Sequence, residues 1–408
     1  MSGDHSLTER LAKHLQRQID EFVRTKARLH LLDWLGCVAG ARQSDVAAVA
    51  RRAEPDTLTR AALLGNVLEM DDVHRGAILH PGPVVWPAAL SAARETGADM
   101  ATLLDGAVRG YEAVIAIGAT FDAWHYAHWH NTATAGGFGG AAAAASIFGL
   151  GAAETADALG HAGSLAGGLW RMRHEAGMTK QLHVAQAALT GLWHARLARA
   201  GAGAPRRILE GEQGLYAATT REPRPLSLSA GWRIDQVSFK PWGACRHAHP
   251  AIDVALELKA AQRLRAPLTV HTYRDALAFC DRPEPKTVLD AKFSIQHSVA
   301  IVIDKGEPEL ADFEPETIAR LAPLRAQVSV VEDPALTAVY PAHFGARIDD
   351  LHLVDTRGDP ERPLSAEGVE AKARGLMAWG GVDADEAVDL ALQRNDSGAV
   401  VAMLERWL

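Results

Sequence analysis

Cysteine is scarce in this chain, with Cys37, Cys245 and Cys280 the only three among 408 residues. An odd, widely spaced set supports neither a disulfide framework nor a thiolate zinc site, and it suits a reducing compartment, so a cytoplasmic protein is expected. Long hydrophobic runs are missing as well. The longest stretch of low charge, 132–153, is mostly alanine and glycine with Phe138, Ile147, Phe148 and Leu150 as its bulky members, and it is too weakly apolar to span a bilayer. Basic charge is not in excess: 42 Lys and Arg against 50 Asp and Glu leave a net charge of -8. The basic residues form no single stripe, which argues against nucleic acid as a partner. Neither a GxGxxG after a strand nor a GxxxxGK[ST] occurs, so there is no nucleotide loop. No GxSxG marks a nucleophilic serine. The first thirty residues set charges such as Glu9, Arg10, Lys13 and Lys26 among apolar positions, as a helix face does and a secretory signal does not.

What is present is a globular composition, 48% hydrophobic and 23% charged, on a chain long enough for two domains. From residue 7 to about 226 nearly every segment has helical period. Leu29, Leu32, Leu35 and Val38 make one apolar stripe, and Leu103, Leu104, Ala107, Val108, Tyr111, Val114 and Ile115 another. The small side chains of 136–145 let helix axes approach closely, which predicts a central helix gripped on several sides. Past Trp232 the pattern changes to short β-branched or alternating runs at 237–239, 269–273, 328–331 and 347–353, separated by helical stretches at about 251–263, 294–303 and 315–321. The expected class is mainly α with a second α+β domain. The helical domain would cover 1–234, with helices of 364–408 returning to it, and 235–363 would form a smaller α+β lid over a cleft.

Residues 66–87, NVLEMDDVHRGAILHPGPVVWP, crowd Glu69, Asp71, Asp72, His74, Arg75 and His80 among Val67, Leu68, Met70, Ile78 and Leu79. Buried charges need partners and an ordinary core needs none, so this reads as a polar pocket wall. The prolines of HPGP should stop a helix there. Four further clusters carry chemistry-bearing side chains: His125, His128 and His130 before Asn131 and Thr132; Lys180 and His183; Lys240 with Cys245, Arg246, His247 and His249; and Lys292 with Gln296 and His297. The HxxHxH spacing of 125–130 is not the HExxH that sets two ligands on one helical face beside a base. Structural or substrate-binding histidines are therefore preferred, and no metal is expected. Neither Lys180 nor Lys240 has the phosphate cradle of a pyridoxal enzyme, and Phe239 and Pro241 beside Lys240 favour a cation that binds carboxylate. Cys245 reads as easily as a small packed residue as an activated thiol.

In their order along the chain, LLDWLGCVAG, EMDDVHR, LHPG, WHNTATAGGFGGAAAAA, GMTKQLH, ILEGEQG, KPWGACRHAHPAID and AKFSIQHSVA resemble the MmgE/PrpD family, which includes 2-methylcitrate dehydratase, cis-aconitate decarboxylase and iminodisuccinate epimerase. The resemblance implies a large helical domain, a smaller α+β lid, a homodimer, and an active site without a cofactor in the cleft between the domains. Carried over residue by residue, the family's active-site positions look like Glu69, His80, His130, Lys180 and Lys240. Val73 and His297 (or its neighbour Gln296) stand where the decarboxylases resemble one another in having threonine and tyrosine. The residues expected to be catalytic are thus His80, His130, Lys180 and Glu69, with Lys240, Arg246, Asp72, His74 and His297 binding substrate.

A small di- or tricarboxylate fits these residues. The hydrogen next to a carboxylate is very weakly acidic, so fixed cations must stabilise the intermediate as it forms. Lys180, Lys240 and Arg246 would grip carboxylates, Arg246 by a bidentate fork. His80 or His130 would move the proton. Glu69, Asp71 or Asp72 would orient an imidazole, and the sequence leaves open which acid meets which ring. The expected activity is a lyase of the dehydratase kind. An epimerase of an amino- or imino-dicarboxylate is the alternative, and a non-catalytic carboxylate binder a third.

Overall fold

A computed structural model describes residues 5–54, 56–175 and 177–408. The chain is mainly helical with one small mixed sheet, the class its periodicities predict. It divides into two compact units. The first comprises Met1–Val67, Asp71–Val237 and Ala366–Leu408, and the second Leu68–Met70 and Ser238–Ser365.

Five helices frame the first unit: α1 (Glu21–Gly40), α2 (Gly82–Thr96), α3 (Met100–Gly118), α4 (Asn131–Ile147) and α5 (Thr179–Arg199). Side chains of Asp20 and Asp99 accept the Val23 and Thr102 amides and so cap α1 and α3, satisfying donors that have no partner within the helix. The glycine-rich α4 is buried over nearly its whole length and packs against α2, α3 and α5. Its composition is the reason. A Cβ on Gly191 of α5 would sit 2.8 Å from Gly140 Cα and 2.7 Å from Ala141 N, so the two backbones touch where only hydrogen fits.

Two expectations for this unit need correction. No helix runs into HPGP: the helix Thr57–Leu64 ends early, and the stretch from 65 to 81 is irregular. Proline acts on the other side, preceding the first residue of α2, where a missing amide is harmless. Residues 200–232 contain only the short helix Leu215–Thr219, because Gly201, Gly203, Pro205, Pro223 and Pro225 break helical continuity.

The sheet of the second unit has the order β2-β1-β3-β4, from β1 (Leu268–Thr272), β2 (Val328–Glu332), β3 (Ala346–Ile348) and β4 (Leu351–Leu353). β1 and β2 are parallel with Val270 opposite Val330, while β1–β3 and β3–β4 are antiparallel. The run 347–353 is therefore a hairpin and not one strand, turning at Asp349 with φ 50°, since a tight turn of this hand needs positive φ. Residues 237–239 are not a strand either. Phe239 N–H bonds the Gly358 carbonyl and Ser238 Oγ bonds Asp359, so that backbone meets a turn instead of a ladder. Helices α6 (His249–Ala260) and α7 (Ile295–Asp304) supply Ile252, Ala255, Val299 and Ile301 to a core shared with Val270 and Ile348. Among the described residues no helix is long and apolar enough to cross a membrane.

Candidate active site

The loop before α2 is tied down residue by residue. His74 N–H bonds Leu79 O at 2.9 Å, closing a short bridge around Ile78, a β-branched residue held at φ 52°. Such a residue in the left-handed region carries strain that the surrounding structure must impose. The start of α4 supplies the other ties: Asn131 Nδ2 donates to Ala77 O at 2.9 Å, and Thr132 Oγ1 accepts the His80 amide at 3.1 Å. His80 thus leaves the loop in a fixed direction.

Its ring is paired with Asp71. His80 Nδ1 lies 2.8 Å from Asp71 Oδ2 and 3.2 Å from the Asp72 carbonyl. A carbonyl oxygen can only accept, so Nδ1 carries the proton and Nε2 the lone pair of the neutral ring. Of the three acids expected to orient an imidazole, Asp71 is the one whose carboxylate meets His80. It is buried, His80 half-buried. The Asp71–Asp72 doublet was visible in the sequence, but nothing in it distinguished the member that faces the ring.

Asp72, expected to bind substrate, points inward instead. Its Oδ2 accepts Tyr111 O–H at 2.6 Å and His30 Nδ1–H at 2.8 Å, and its Oδ1 accepts the Gly82 amide at 2.8 Å. These bonds hold the first turn of α2, where a carboxylate also meets the positive end of the helix. They explain the glycine of HPG, since a Cβ on Gly82 would sit 2.7 Å from Asp72 Oδ1 and 2.9 Å from Tyr111 Oη. His74 is likewise engaged, accepting the Ala77 amide at Nδ1 (3.0 Å) and meeting Gln236 Oε1 at Nε2 (3.4 Å). Burial pushes its imidazole down to about 4.

His130 stands at the start of α4, its amide bonded to Gly168 O at 2.8 Å and its ring 4.6 Å from that of Trp170. Its Nδ1 is 3.4 Å from His183 Nδ1, one turn beyond Lys180 on the same face of α5. Burial holds His130 well below the usual imidazole range, and the charges of Lys180, His183 and His80 add to that effect while Asp71 opposes it. Burial lowers His183 too. Four expected or neighbouring groups, His80, His130, Lys180 and Asp71, therefore act on one another within the first unit. His183, which shares the MTKQLH run with Lys180, and Trp170 lie beside His130 in this group, and only Trp170 went unremarked in the sequence. The remaining members of HxxHxH turn elsewhere: His125 Nδ1 bonds Thr219 O at 3.2 Å and His128 Nδ1 bonds Trp124 O at 2.9 Å. Among the described residues no three His, Cys, Asp or Glu side chains are set to hold a metal ion.

Glu69 and Lys240 meet in the second unit, with Lys240 Nζ 3.7 Å from Glu69 Oε2 and both side chains buried. Glu69 adopts φ 57°, a second left-handed residue close in sequence to the Asp71–His80 pair. Lys292 Nζ bonds Leu68 O at 2.9 Å, so two lysines hold this tripeptide. Arg246 and His297, expected to bind substrate, have internal partners. Arg246 pairs with Asp359 at 2.5 Å and donates to His249 Nδ1 at 3.1 Å. His297 Nε2–H donates to Asp312 O at 2.9 Å and its Nδ1 accepts from Arg325 at 3.3 Å. These side chains are buried within the second unit.

Two family models match: the MmgE/PrpD N-terminal domain over residues 58–226 and the MmgE/PrpD C-terminal domain over residues 242–397. The chain belongs to the MmgE/PrpD family. Among its relatives, human cis-aconitate decarboxylase is 27% identical over 283 residues, 62% of this chain and 58% of that protein. A cis-aconitate decarboxylase-like protein of Aspergillus oryzae is 33% identical over 158 residues (36% of this chain, 33% of the relative). The 2-methylcitrate dehydratase of Cupriavidus necator is 33% identical over 104 residues (23% and 22%). The chain thus spans 58% of the human relative's length and a third or less of the other two. In this MmgE/PrpD chain the loop with His80, the start of α4 with His130 and the start of α5 with Lys180 all fall within the matched N-terminal domain.

Proposed function

We propose that this MmgE/PrpD protein is a lyase that removes a proton next to a carboxylate of a small di- or tricarboxylate. The observation that carries this reading is the Asp71–His80 pair, 2.8 Å apart, with the Nε2 lone pair left for a substrate proton. An aspartate on Nδ1 fixes the tautomer and stabilises the imidazolium that forms when Nε2 accepts. Lys180 supplies a cation for the neighbouring carboxylate, whose negative charge grows as the carbanion develops. His130, kept neutral by burial, serves as a hydrogen-bond donor to a substrate oxygen. One imidazole held by a carboxylate and a second buried beside Lys180 and His183 thus divide the work of base and donor. In the dehydratase form, the electrons of the broken C–H bond become the new C=C bond and the β-hydroxyl departs, taking up a proton to leave as water.

A second reading is decarboxylation of an unsaturated tricarboxylate. It is favoured by the alignment to the human decarboxylase over 283 residues, against 104 for the dehydratase. Incubation with 2-methylcitrate, cis-aconitate and chiral amino-dicarboxylates in heavy water, followed by proton NMR, separates the readings. A dehydratase consumes the hydroxy acid and forms an ultraviolet-absorbing alkene, and the His80→Ala variant does not. Exchange without net loss of substrate indicates an epimerase, and release of carbon dioxide a decarboxylase. Binding with neither exchange nor conversion of any of these acids leaves only a carboxylate binder and sinks the catalytic reading.

A further inference from the structure

Behind the Asp71–His80 pair lies a second tier of side chains. Asp72 accepts four bonds: Tyr111 O–H and His30 Nδ1–H at Oδ2, Gly82 N–H at Oδ1, and His80 Nδ1–H at its carbonyl. Asp72, Tyr111 and His30 are all buried. Tyr111 comes from α3 and accepts Trp86 Nε1–H from α2 at 3.1 Å. His30 comes from α1, one turn before Asp33, which is itself ion-paired at 2.5 Å with Lys372 of the helix Ala366–Trp379. Three helices thus converge on the carboxylate of one residue whose own carbonyl meets the His80 ring.

We propose that Tyr111 and His30 are positioning residues for His80, acting through Asp72 to fix the ring and set the negative field in which it takes up a proton. The inference rests on the assignment of His80 as the base. Both donors are neutral. Burial and the adjacent Asp72 charge hold the Tyr111 phenol well above its ordinary range, and burial lowers His30 despite its bond to Asp72. Neutral donors orient a carboxylate without cancelling its charge, whereas a lysine in their place would neutralise it. Removing one donor therefore leaves the carboxylate less stabilised, concentrates negative charge near His80 and favours its imidazolium. The other charged and titratable groups around this tier are Asp71 on the loop, Lys26 and Asp33 on α1, Lys372 on the C-terminal helix, His130 before α4, and Lys180 and His183 on α5.

The test is the titration of His80 itself, followed by NMR in the full chain labelled with 13C at histidine Cε1, its signal identified by its loss in His80→Asn. Tyr111→Phe keeps the ring and its packing and removes the hydroxyl. It is expected to move the His80 midpoint upward and to lower kcat about tenfold with KM near parental. His30→Gln removes the second donor and gives an independent reading should Tyr111→Phe not fold. A drop in melting temperature with the His80 titration unmoved overturns the proposal, because a purely structural tyrosine would produce that result. A shifted titration in a protein that turns over no polycarboxylate sustains this inference and sinks the functional reading instead. Turnover at the parental rate with an unshifted titration in Tyr111→Phe sinks this inference alone.

Discussion

His80 and His297 sit in similar company, each in a run of acids and bases near a helix start, yet they end in opposite conditions. His80 has Nδ1 bound to Asp71 and keeps Nε2 for other work. His297 donates from Nε2 to Asp312 O and accepts at Nδ1 from Arg325, which engages the whole ring. The carboxylates of the Asp71–Asp72 doublet also part company, one meeting the His80 ring and the other Tyr111, His30 and the Gly82 amide. A cluster of polar residues marks where charge is buried, and the orientation of each side chain decides whether that charge is internal mortar or available for chemistry.

The comparison breaks most sharply at the base. His80→Ala should lower kcat by roughly 10²- to 10⁴-fold, as the loss of a general base does, while the melting temperature stays near parental. Asp71→Asn should fall in the same direction by a smaller factor. Equal turnover by the parent and His80→Ala would erase the distinction drawn between the two histidines.

Arg246→Met probes the other side. It leaves the Asp359 carboxylate buried without its cation, which costs about 3–5 kcal/mol, read as a lower denaturant midpoint. The rate per folded molecule should not change. His297→Ala should follow with about 1–3 kcal/mol, since it strips partners from Arg325 and the Asp312 carbonyl. A selective loss of kcat in either variant, with stability intact, would return these residues to the site.

Acid should expose the engaged imidazoles with the smallest effect. Burial pushes His74 and His297 down to about 4 from an ordinary 6.5. The unfolded chain therefore binds more protons than the folded one between those values, and stability falls as pH drops through that window while remaining level above it. Denaturant melts at several pH values should show the slope, and the His297→Ala variant should show less of it. An unchanged slope in that variant would mean that His297 titrates near its ordinary value.

Much of the fold was legible because local patterns carry it. The stripes on α1 and α3 and the alanine-glycine run of α4 each specify a buried helix by spacing and side-chain size, and 328–331 lies within β2. What misled was continuity: 347–353 alternates like one strand but turns at Asp349, and 237–239 has β-branched character with no ladder to join. The site divided in the same way. His80, His130 and Lys180 stand out by residue type, but the sequence does not show that the Asp71 carboxylate meets the His80 ring within one loop, or that His183 meets the His130 ring from another helix.

Residue type and spacing by themselves determined the helical class, the small α+β part, and the motifs that carry family membership, because hydrophobic periodicity and backbone preference act over a few residues. Only the tertiary structure decided that the carboxylate meeting His80 is that of Asp71 and not that of Asp72, and that Arg246 and His297 are engaged within the second unit. Those choices depend on which donors reach each oxygen or nitrogen. The donors arrive from helices far apart along the chain.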